Sequence, residues 1–363
     1  MKVFTVNFTQ FGVFKDFMAA TIKDIAKKIG VTHTTVSLVL NRKNTPVRIS
    51  KATIDKVLEA AKELNYTPNS AARQLAGVSS KLIGAIIDSK APTMYYDFLS
   101  GIERGLASNG YRFMIGQSHG EWERVRAYID DFHARGIEGV VCVSYDYDFG
   151  TTAQQIAEQF GDFKNLIFLG EPKIETNNYC CVMADIENAT YQAVTYLFKN
   201  KRKNIGIILT SHKLPLLKRL NGYKRAVSDN QKKMDEELIL WTENPEKEDV
   251  YLNIDKLKPL VLEFIKKKKV DALICCNDCL AAMSITILRE NGIRVPNDIA
   301  VIGYDNTELS KYTYPTLTTI DQRSDEMAKH AVNILMKMIN KETILDEERK
   351  KIIQPKLIIR NSA

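Results

Sequence analysis

The chain has 363 residues, 45% of them hydrophobic, and a formal net charge of +7. This length exceeds what one ordinary core needs and favours a small domain beside a larger, two-lobed one. No apolar run approaches the roughly 20 residues that span a bilayer, and the first residues contain no compact apolar segment of the kind found in secretory signals. Composition therefore argues against a membrane-spanning or secreted protein and predicts a cytoplasmic one.

The excess positive charge is concentrated near the N-terminus. From Thr21 to Lys90 there are 12 lysines and arginines against 5 aspartates and glutamates, whereas the residues beyond Lys90 sum to −1. A compact basic region on a near-neutral body is typical of a protein that binds the phosphate backbone of nucleic acid. Charge alone leaves open a basic, solvated surface without a partner.

The basic region begins with the pattern of three short helices. In the first, a capping box of Thr21 and Asp24 opens an apolar face, and Gly30 ends the helix. Thr32 and Ser50 stand where the caps of the second and third helices are expected. The residues predicted to face the core are Ile22, Ile25, Ala26, Ile29, Val36, Val39, Leu40, Ile54, Val57, Leu58, Ala61 and Leu64. A helix, a tight turn with glycine and a second helix make up the DNA-binding helix-turn-helix motif.

The rest of the chain is a short linker followed by an alternating pattern. The helical segment between Asn69 and Gly77 is too short to be stable alone, so we expect it to become helical only with a partner. From Leu82, helical patterns alternate with apolar runs, namely LIGAII, RFMI, GVVCV, LIFL, IGIIL, ALICC and IAVIG. This alternation predicts an α/β fold with parallel strands and right-handed crossovers, long enough for two similar lobes.

The cysteines favour reduced thiols over a disulfide framework. Two pairs are adjacent in sequence, and several stand in apolar, strand-like runs. Cys276 and Cys279 form a CxxC pair, but no second pair and no histidine stands near it, which favours plain packing over a metal or redox role. The six residues are Cys142, Cys180, Cys181, Cys275, Cys276 and Cys279.

Several motifs, in order and spacing, resemble those of the lac repressor family of transcriptional regulators. The resemblance covers about residues 20–361. In the head the motifs are TIKDIA from Thr21, GVT from Gly30, TVS from Thr35, VLN from Val39 and LNYTPN from Leu64. In the body they are RLNGY from Arg219, CND from Cys276 with Ala281 beyond it, VPNDIAVIGYD from Val295 and PTLTTIDQ from Pro315.

The resemblance implies a three-helix helix-turn-helix head, a periplasmic-binding-protein-like body of two α/β lobes with a ligand between them, and a homodimer on a near-palindromic operator. The implied parts are an extension at 1–19 whose first 17 residues precede a natural start at Met18, the head at 20–67, a hinge helix and linker at 68–81, and an effector-binding and dimerisation body at 82–363. Lobe one would comprise about 82–181 and 322–352, and lobe two about 182–321 and 353–363. No heptad repeat follows the last apolar run, which predicts a dimer instead of a tetramer.

The chain departs from the family pattern in two places. Its first 17 residues have no family counterpart, and we expect them to be dispensable for DNA binding. Leu38 stands in the second helix where the family usually has an arginine.

The second helix of the head carries the candidates for reading DNA. Its outer face has small polar side chains whose hydroxyl, imidazole and amide groups can meet base edges in the major groove. By resemblance, His33 and Thr34 read bases, Leu38 faces the groove, and Leu75 of the linker wedges into the minor groove and kinks the DNA. A surface histidine without a role and a contact between linkers are the respective alternatives. DNA contacts are expected at Thr21, Thr32, His33, Thr34, Ser37, Leu38, Asn41, Asn69, Ala72 and Leu75.

Arg219 and Asp278 are the leading candidates for binding an effector. The guanidinium of Arg219 suits bidentate contacts, and Asp278 directly follows an apolar strand, at the strand end where open α/β sheets bind ligands. A carboxylate and a guanidinium together can grip vicinal hydroxyls, which predicts a sugar or sugar derivative, although a surface salt bridge is the alternative. Further candidates are Gln322, Asp88, Asp185 and Tyr95.

Three other functions are open to a chain of this kind. An enzyme is disfavoured because the sequence has no P-loop, nucleophile elbow, HExxH or credible Ser-His-Asp set, so no catalytic residue, cofactor or metal is expected. A secreted sugar-binding protein would share the body but not the head. A regulator controlled by a partner protein would have both the DNA-binding head and the α/β body. The sequence predicts a ligand-responsive transcriptional regulator, with repression as the preferred mode.

Overall fold

The computed structural model describes residues 20–40, 49–67, 79–88, 91, 93–143, 160, 163–170, 179–210, 214–242 and 253–363. The chain divides into two compact units, residues 1–80 and 81–363. The extension at 1–19 and most of the linker at 68–81 lie outside the described residues. So do four of the DNA-contact candidates, Asn41, Asn69, Ala72 and Leu75.

The described residues of the head form three helices, α1 (Ile22–Ile29), α2 (His33–Leu40) and α3 (Lys51–Glu63). They pack around a small core in which Ile25, Val36 and Val57, one from each helix, are fully buried. Short helices are marginal in isolation, so this shared core is what stabilises all three.

The caps predicted from the sequence are confirmed. Thr21 N donates to Asp24 Oδ2 at 2.8 Å, and Asp24 N donates back to Thr21 Oγ1 at 3.4 Å, which completes the capping box. Gly30 ends α1 in the left-handed region with φ 71°. The side chains of Thr32 and Ser50 cap α2 and α3 as expected.

The predicted core of α3 is wrong at one position. Leu58 is 51% exposed, whereas Ala60 is buried beside Val57. Successive helical residues are about 100° apart, so Leu58 lies at the edge of the apolar stripe. The two other short helices of the head cover only the middle of that stripe, and Leu58 remains outside.

Lobe one is a six-stranded sheet with helices on its faces. All of its strands are parallel, in the order β11-β5-β4-β3-β1-β2. The strands are β1 (Leu82–Ile87), β2 (Arg112–Gln117), β3 (Gly139–Val143), β4 (Leu166–Leu169), β5 (Cys180–Ala184) and β11 (Lys350–Ile353). The described helices are α4 (Thr93–Ser108), α5 (Trp122–Ala134), α11 (Ser324–Ile339) and α12 (Asp346–Arg349).

Lobe two is a second six-stranded sheet, in the order β12-β10-β9-β8-β6-β7. The strands are β6 (Ile205–Leu209), β7 (Ile239–Trp241), β8 (Ala272–Cys275), β9 (Ala300–Tyr304), β10 (Thr318–Asp321) and β12 (Lys356–Ile358). The described helices are α6 (Ile186–Lys199), α7 (Leu214–Asp229), α8 (Ile254–Lys268), α9 (Asp278–Glu290) and α10 (Leu309–Tyr312).

The two lobes confirm the predicted α/β class. Each of the seven apolar runs forms a strand, and the pairings between those strands are parallel. The edge strand β12 differs, because it pairs antiparallel to β10. No helix among the described residues is both long and apolar enough to cross a membrane.

In the order of the described strands, the chain crosses between the lobes three times, after β5, after β10 and between β11 and β12. The crossings after β5 and β11 are joined by a hydrogen bond from Gln354 Nε2 to Asp185 Oδ2, at 3.3 Å. The boundary expected between residues 181 and 182 falls inside β5, which pairs with β11 as far as Ala184. Strand β5 extends to Ala184 because its apolar residues continue beyond position 181. Ile353, expected to begin the last segment of lobe two, pairs with Ala184 and therefore belongs to lobe one.

Candidate DNA-reading helix and effector pocket

The first turn of α2 presents polar side chains to solvent. His33 and Thr34 are exposed, and Ser37 is half-buried. Thr32 holds the start of the helix, with its Oγ1 accepting from Thr35 N at 3.2 Å. Imidazole and hydroxyl groups at the exposed N-terminal end of a helix are suitable for contacts to base edges in a major groove.

Leu38 does not belong to the core of the head. It is half-buried, and among the described residues it is not one of those that pack on the cluster around Ile25 and Val36. Its neighbour Val39 does pack there, together with Leu40. The side chain of Leu38 therefore lies beside the outer face that carries Thr34.

Thr21 caps the N-terminus of α1 in the described head. Its hydroxyl contacts Asp24 Oδ2 at 2.6 Å, and this hydrogen bond lowers the pKa of the Asp24 carboxyl. Thr21 therefore fixes the start of α1, whatever else it contacts.

Arg219 lies on α7 and is buried in lobe two. Its guanidinium carbon stacks 4.0 Å from the ring centroid of Tyr304, and its Nη2 lies 4.0 Å from Asp305 Oδ1. Nη1 donates to the carbonyl of Pro215 at 3.4 Å. Nε is buried and has no hydrogen-bond partner within the described structure. A buried donor of a charged group without a partner is costly, which marks this position as one prepared for a ligand.

Asp305 is the carboxylate that faces Arg219. It follows β9 directly and has φ 101°, a conformation unusual for a residue with a side chain. Gln322 Nε2 donates to Asp305 Oδ1 at 2.6 Å. Burial raises the pKa of the Asp305 carboxyl, and the charge of Arg219 and the Gln322 hydrogen bond oppose that rise. Sequence reasoning missed Asp305 as a site residue, although its place at a strand end was visible.

These side chains line a pocket between the two lobes. Tyr95 comes from α4 of lobe one, Gln322 lies in the second crossing directly after β10, and most of the other walls belong to lobe two. The lining residues are Met94, Tyr95, Ile186, Thr210, Pro215, Leu216, Arg219, Cys276, Asn277, Asp305 and Gln322. The structure thus brings together three of the predicted effector-binding residues, Arg219, Gln322 and Tyr95.

Asp278 is not among the described residues that line this pocket. Its Oδ2 accepts from Thr307 N at 2.7 Å and from Thr307 Oγ1 at 3.0 Å, and its Oδ1 accepts from Thr319 Oγ1 at 2.5 Å. Burial raises the pKa of Asp278 to about 7, against the effect of these hydrogen bonds. Both carboxylate oxygens accept hydrogen bonds within lobe two, so Asp278 ties the loop after β9 to strand β10. Its role in binding an effector stays a prediction, and Asp305 joins it as a second candidate carboxylate.

The two weaker candidates, Asp88 and Asp185, are also not among the described residues that line the pocket, although Asp185 directly precedes the lining residue Ile186. Asp88 Oδ2 accepts from Ser118 Oγ at 3.3 Å, beyond the end of β1. Asp185 caps α6, where its Oδ1 accepts from Asn188 N at 3.1 Å. Asp185 therefore stabilises the first crossing between the lobes.

The cysteines are free thiols, and only Cys279 of the six is exposed. Cys276 lines the pocket, and its Sγ lies 3.8 Å from Thr210 Oγ1. Burial raises the pKa of Cys276. No cluster of three or more histidine, cysteine or acidic side chains suited to a metal occurs in the described part of the chain.

Two protein families match parts of this chain. Residues 21–69 match the family described as bacterial regulatory proteins, lacI family. Residues 194–363 match the periplasmic binding protein-like domain. The first match covers the head, and the second covers most of lobe two and the last segment of lobe one.

Similar proteins extend the match to nearly the whole chain. The HTH-type transcriptional repressor PurR of Vibrio parahaemolyticus is 31% identical over 348 residues, which is 94% of this chain and 98% of that protein. PurR of Histophilus somni is 30% identical over 345 residues, with the same coverage of both chains.

Solved structures share the fold. The lac repressor dimer bound to operator and the anti-inducer ONPF has a TM-score of 0.78 at 22% identity, covering 95% of this chain and 99% of that one. The transcriptional regulator CelR in complex with cellobiose has a TM-score of 0.66 at 24% identity, covering 95% and 100%. With its helix-turn-helix head and its pocket between two α/β lobes, the chain belongs to the lacI family of bacterial regulatory proteins and is a transcriptional regulator controlled by a small-molecule effector.

Proposed function

We propose that this protein is a repressor that binds a near-palindromic operator as a homodimer in the cytoplasm, and that a sugar or sugar derivative held between the lobes controls its affinity for DNA. The observation that carries the proposal is the buried Arg219, with an unpartnered Nε and with Asp305 and Gln322 beside it in one pocket.

The chemistry of the pocket favours a polyhydroxyl ligand. Arg219 offers donors, Asp305 offers acceptors, and the amides of Gln322 and Asn277 offer both, so adjacent hydroxyls can be bound in both of their roles. Tyr95 supplies an aromatic face from the other lobe. The similar fold of CelR, whose structure contains cellobiose, supports a carbohydrate.

The size of the pocket bears on how the effector acts. The cavity has a volume of about 20 Å³, which is room for about one water molecule. A sugar therefore requires this pocket to widen, and because its walls come from both lobes, we expect ligand binding to be coupled to their relative position. Such a coupling is typically worth about 1–3 kcal/mol.

On the DNA side, we assign base contacts to His33 and Thr34, with Leu38 facing the groove. Their exposure and their place at the start of α2 support this assignment. The family resemblance implies further contacts to the DNA backbone or to neighbouring bases from Thr32, Ser37, Asn41, Asn69 and Ala72. It also implies that Leu75 inserts into the minor groove.

Lobe two offers a surface for the homodimer. Tyr312 is 77% exposed and Tyr314 is 75% exposed, and Leu309 is exposed beside them on α10. Arg289 packs its guanidinium 4.8 Å from the ring centroid of Tyr314 and donates to the carbonyl of Tyr314 at 3.0 Å. Exposed aromatic groups and arginine are enriched at protein interfaces.

Titration of the full chain with a panel of sugars and sugar phosphates, by calorimetry and by operator binding in parallel, tests the proposal. We expect one class of ligand to bind and to change operator affinity by about 5–150-fold. Asp305→Asn should abolish that response and leave operator binding without ligand intact. The matched control is Asp298→Asn, on the surface of lobe two. If no carbohydrate binds, or if Asp305→Asn responds normally, the assignment of ligand class or pocket is wrong.

A further inference from the structure

Lobe two contains a second concave site, at the opposite end of its sheet from the effector pocket. Its volume is about 680 Å³, within the usual range of ligand-binding clefts. The two sites lie at opposite ends of β6, because Ile205 lines this groove and Thr210 lines the effector pocket. A five-residue strand separates them by roughly 17 Å.

The floor and the rim of this groove differ in character. Half-buried apolar side chains of Phe198, Met234 and Leu238 line its interior. Exposed lysines stand at its rim, namely Lys203, Lys232 and Lys233. We call this site the lysine groove and define it by these six residues.

The charges of the lysine groove are not balanced from within. Two acidic residues also line the cavity beside these six, and each pairs with a lysine outside the groove: Asp235 with Lys268 and Glu236 with Lys224, both at 3.0 Å. Among the described residues, none of the three rim lysines forms an ion pair with a carboxylate. The rim therefore presents an uncompensated positive charge around an apolar floor.

A structural alternative is that these lysines interact with the partial negative charge at the C-terminal ends of helices, where cations are favourable. Here α6 and α7 both end beside the groove, but backbone groups already cap them. Arg202 N donates to Leu197 O at 3.1 Å, and Lys232 N donates to Val227 O at 3.0 Å. The rim ammonium groups are thus not needed for the helix ends and remain available to a ligand.

We propose that the lysine groove binds a small organic anion, a carboxylate, sulfonate or phosphate carried on an apolar or aromatic body. The anion lies among Lys203, Lys232 and Lys233, and the apolar body contacts Phe198, Met234 and Leu238. This ligand is distinct from the effector between the lobes.

A pair of dyes of matched shape tests the proposal on the full chain. Anilinonaphthalene sulfonate carries an anionic group on an aromatic body, and phenylnaphthylamine is its uncharged counterpart. We expect the triple variant Lys203→Gln, Lys232→Gln, Lys233→Gln to bind the sulfonate at least tenfold more weakly and to bind the neutral dye within about twofold of wild type. Exposed ion pairs are individually weak, so all three lysines are changed together.

Two control variants test whether the sulfonate binds in the lysine groove. The triple variant Lys256→Gln, Lys258→Gln, Lys266→Gln removes the same charge from α8, outside the groove, and should bind the sulfonate like wild type. Arg219→Ala should do the same. The bound sulfonate should protect residues 198–205 and 232–238 from hydrogen exchange. Equal affinity in the groove variant, loss of binding in Arg219→Ala, or no sulfonate binding at millimolar concentration would each overturn the proposal.

Discussion

At the scale of single residues, Asp278 gives the body a dependence of stability on pH. Burial raises its pKa from 3.8 to about 7, so the folded state binds a proton more tightly than the unfolded state. Stability contributed by that proton is present below about pH 4 and is lost as the pH rises towards 7. Three pKa units correspond to at most about 4 kcal/mol.

Asp278→Asn should flatten this dependence. The amide oxygen can still accept from Thr307, and its NH2 can donate to the hydroxyl of Thr319, so the local hydrogen bonds persist. In denaturant unfolding, the free energy of unfolding should decrease less between pH 5 and pH 8 in the variant than in the wild type. Asp298→Asn is the control, because ion pairing with Arg294 lowers the pKa of Asp298 to about 2, outside this window. An unchanged slope in Asp278→Asn would contradict the expectation.

Leu38 should set an operator preference of its own. Leucine has no donor and can only pack, and the apolar feature of the major groove is the thymine methyl. Leu38→Arg should gain a guanine at one symmetric pair of operator positions, with about 1–3 kcal/mol of discrimination. Selection of operators from a randomised pool measures this, with Leu38→Met as the control that keeps the original preference. Identical selected bases in all three proteins would place Leu38 away from DNA.

At the scale of elements, the contact between α6 and α7 depends on a glycine. A Cβ on Gly222 would overlap the carbonyl oxygen of Glu187 on α6. Gly222→Ala should therefore push the helices apart, destabilise lobe two by about 1–3 kcal/mol, and shift Arg219, which lies one turn earlier on α7. Calorimetric unfolding and effector titration measure the two effects. Asn221→Ala, at the exposed neighbouring position, should have neither effect, and a Gly222→Ala protein with normal values of both would refute this account.

The elements also show why the helix caps followed from the sequence and the surroundings of the two carboxylates did not. The capping box of Thr21 and Asp24 and the end of α1 at Gly30 are local, so the sequence contains all the atoms that decide them. Asp278 and Asp305 both follow strands, and nothing local separates them. Asp278 accepts a hydrogen bond from Thr319, 41 positions along the chain, whereas Asp305 lies 4.0 Å from Arg219, and both contacts exist only after folding.

At the scale of the whole molecule, the exposed aromatic surface on lobe two should hold the dimer together. Tyr312→Glu with Tyr314→Glu places like charges opposite each other across a two-fold interface. We expect sedimentation to show monomers at micromolar concentration and operator affinity to fall with them. Leu345→Glu, at an exposed position of lobe one, is the control and should leave the dimer intact. A dimeric double variant would place the interface elsewhere.

The three crossings between the lobes have a consequence for biosynthesis. The last strand of lobe one, β11, is synthesised after all strands of lobe two except β12. Until then the edge of β5 is open, and synthesis at about 5–20 residues per second keeps it so for many seconds. The closing residues then complete both sheets together, and Ser362 Oγ donates to the carbonyl of Val301 at 2.6 Å. A nascent chain that stalls before Lys350 therefore exposes the unpaired edge of β5 and is a target for chaperones and proteases.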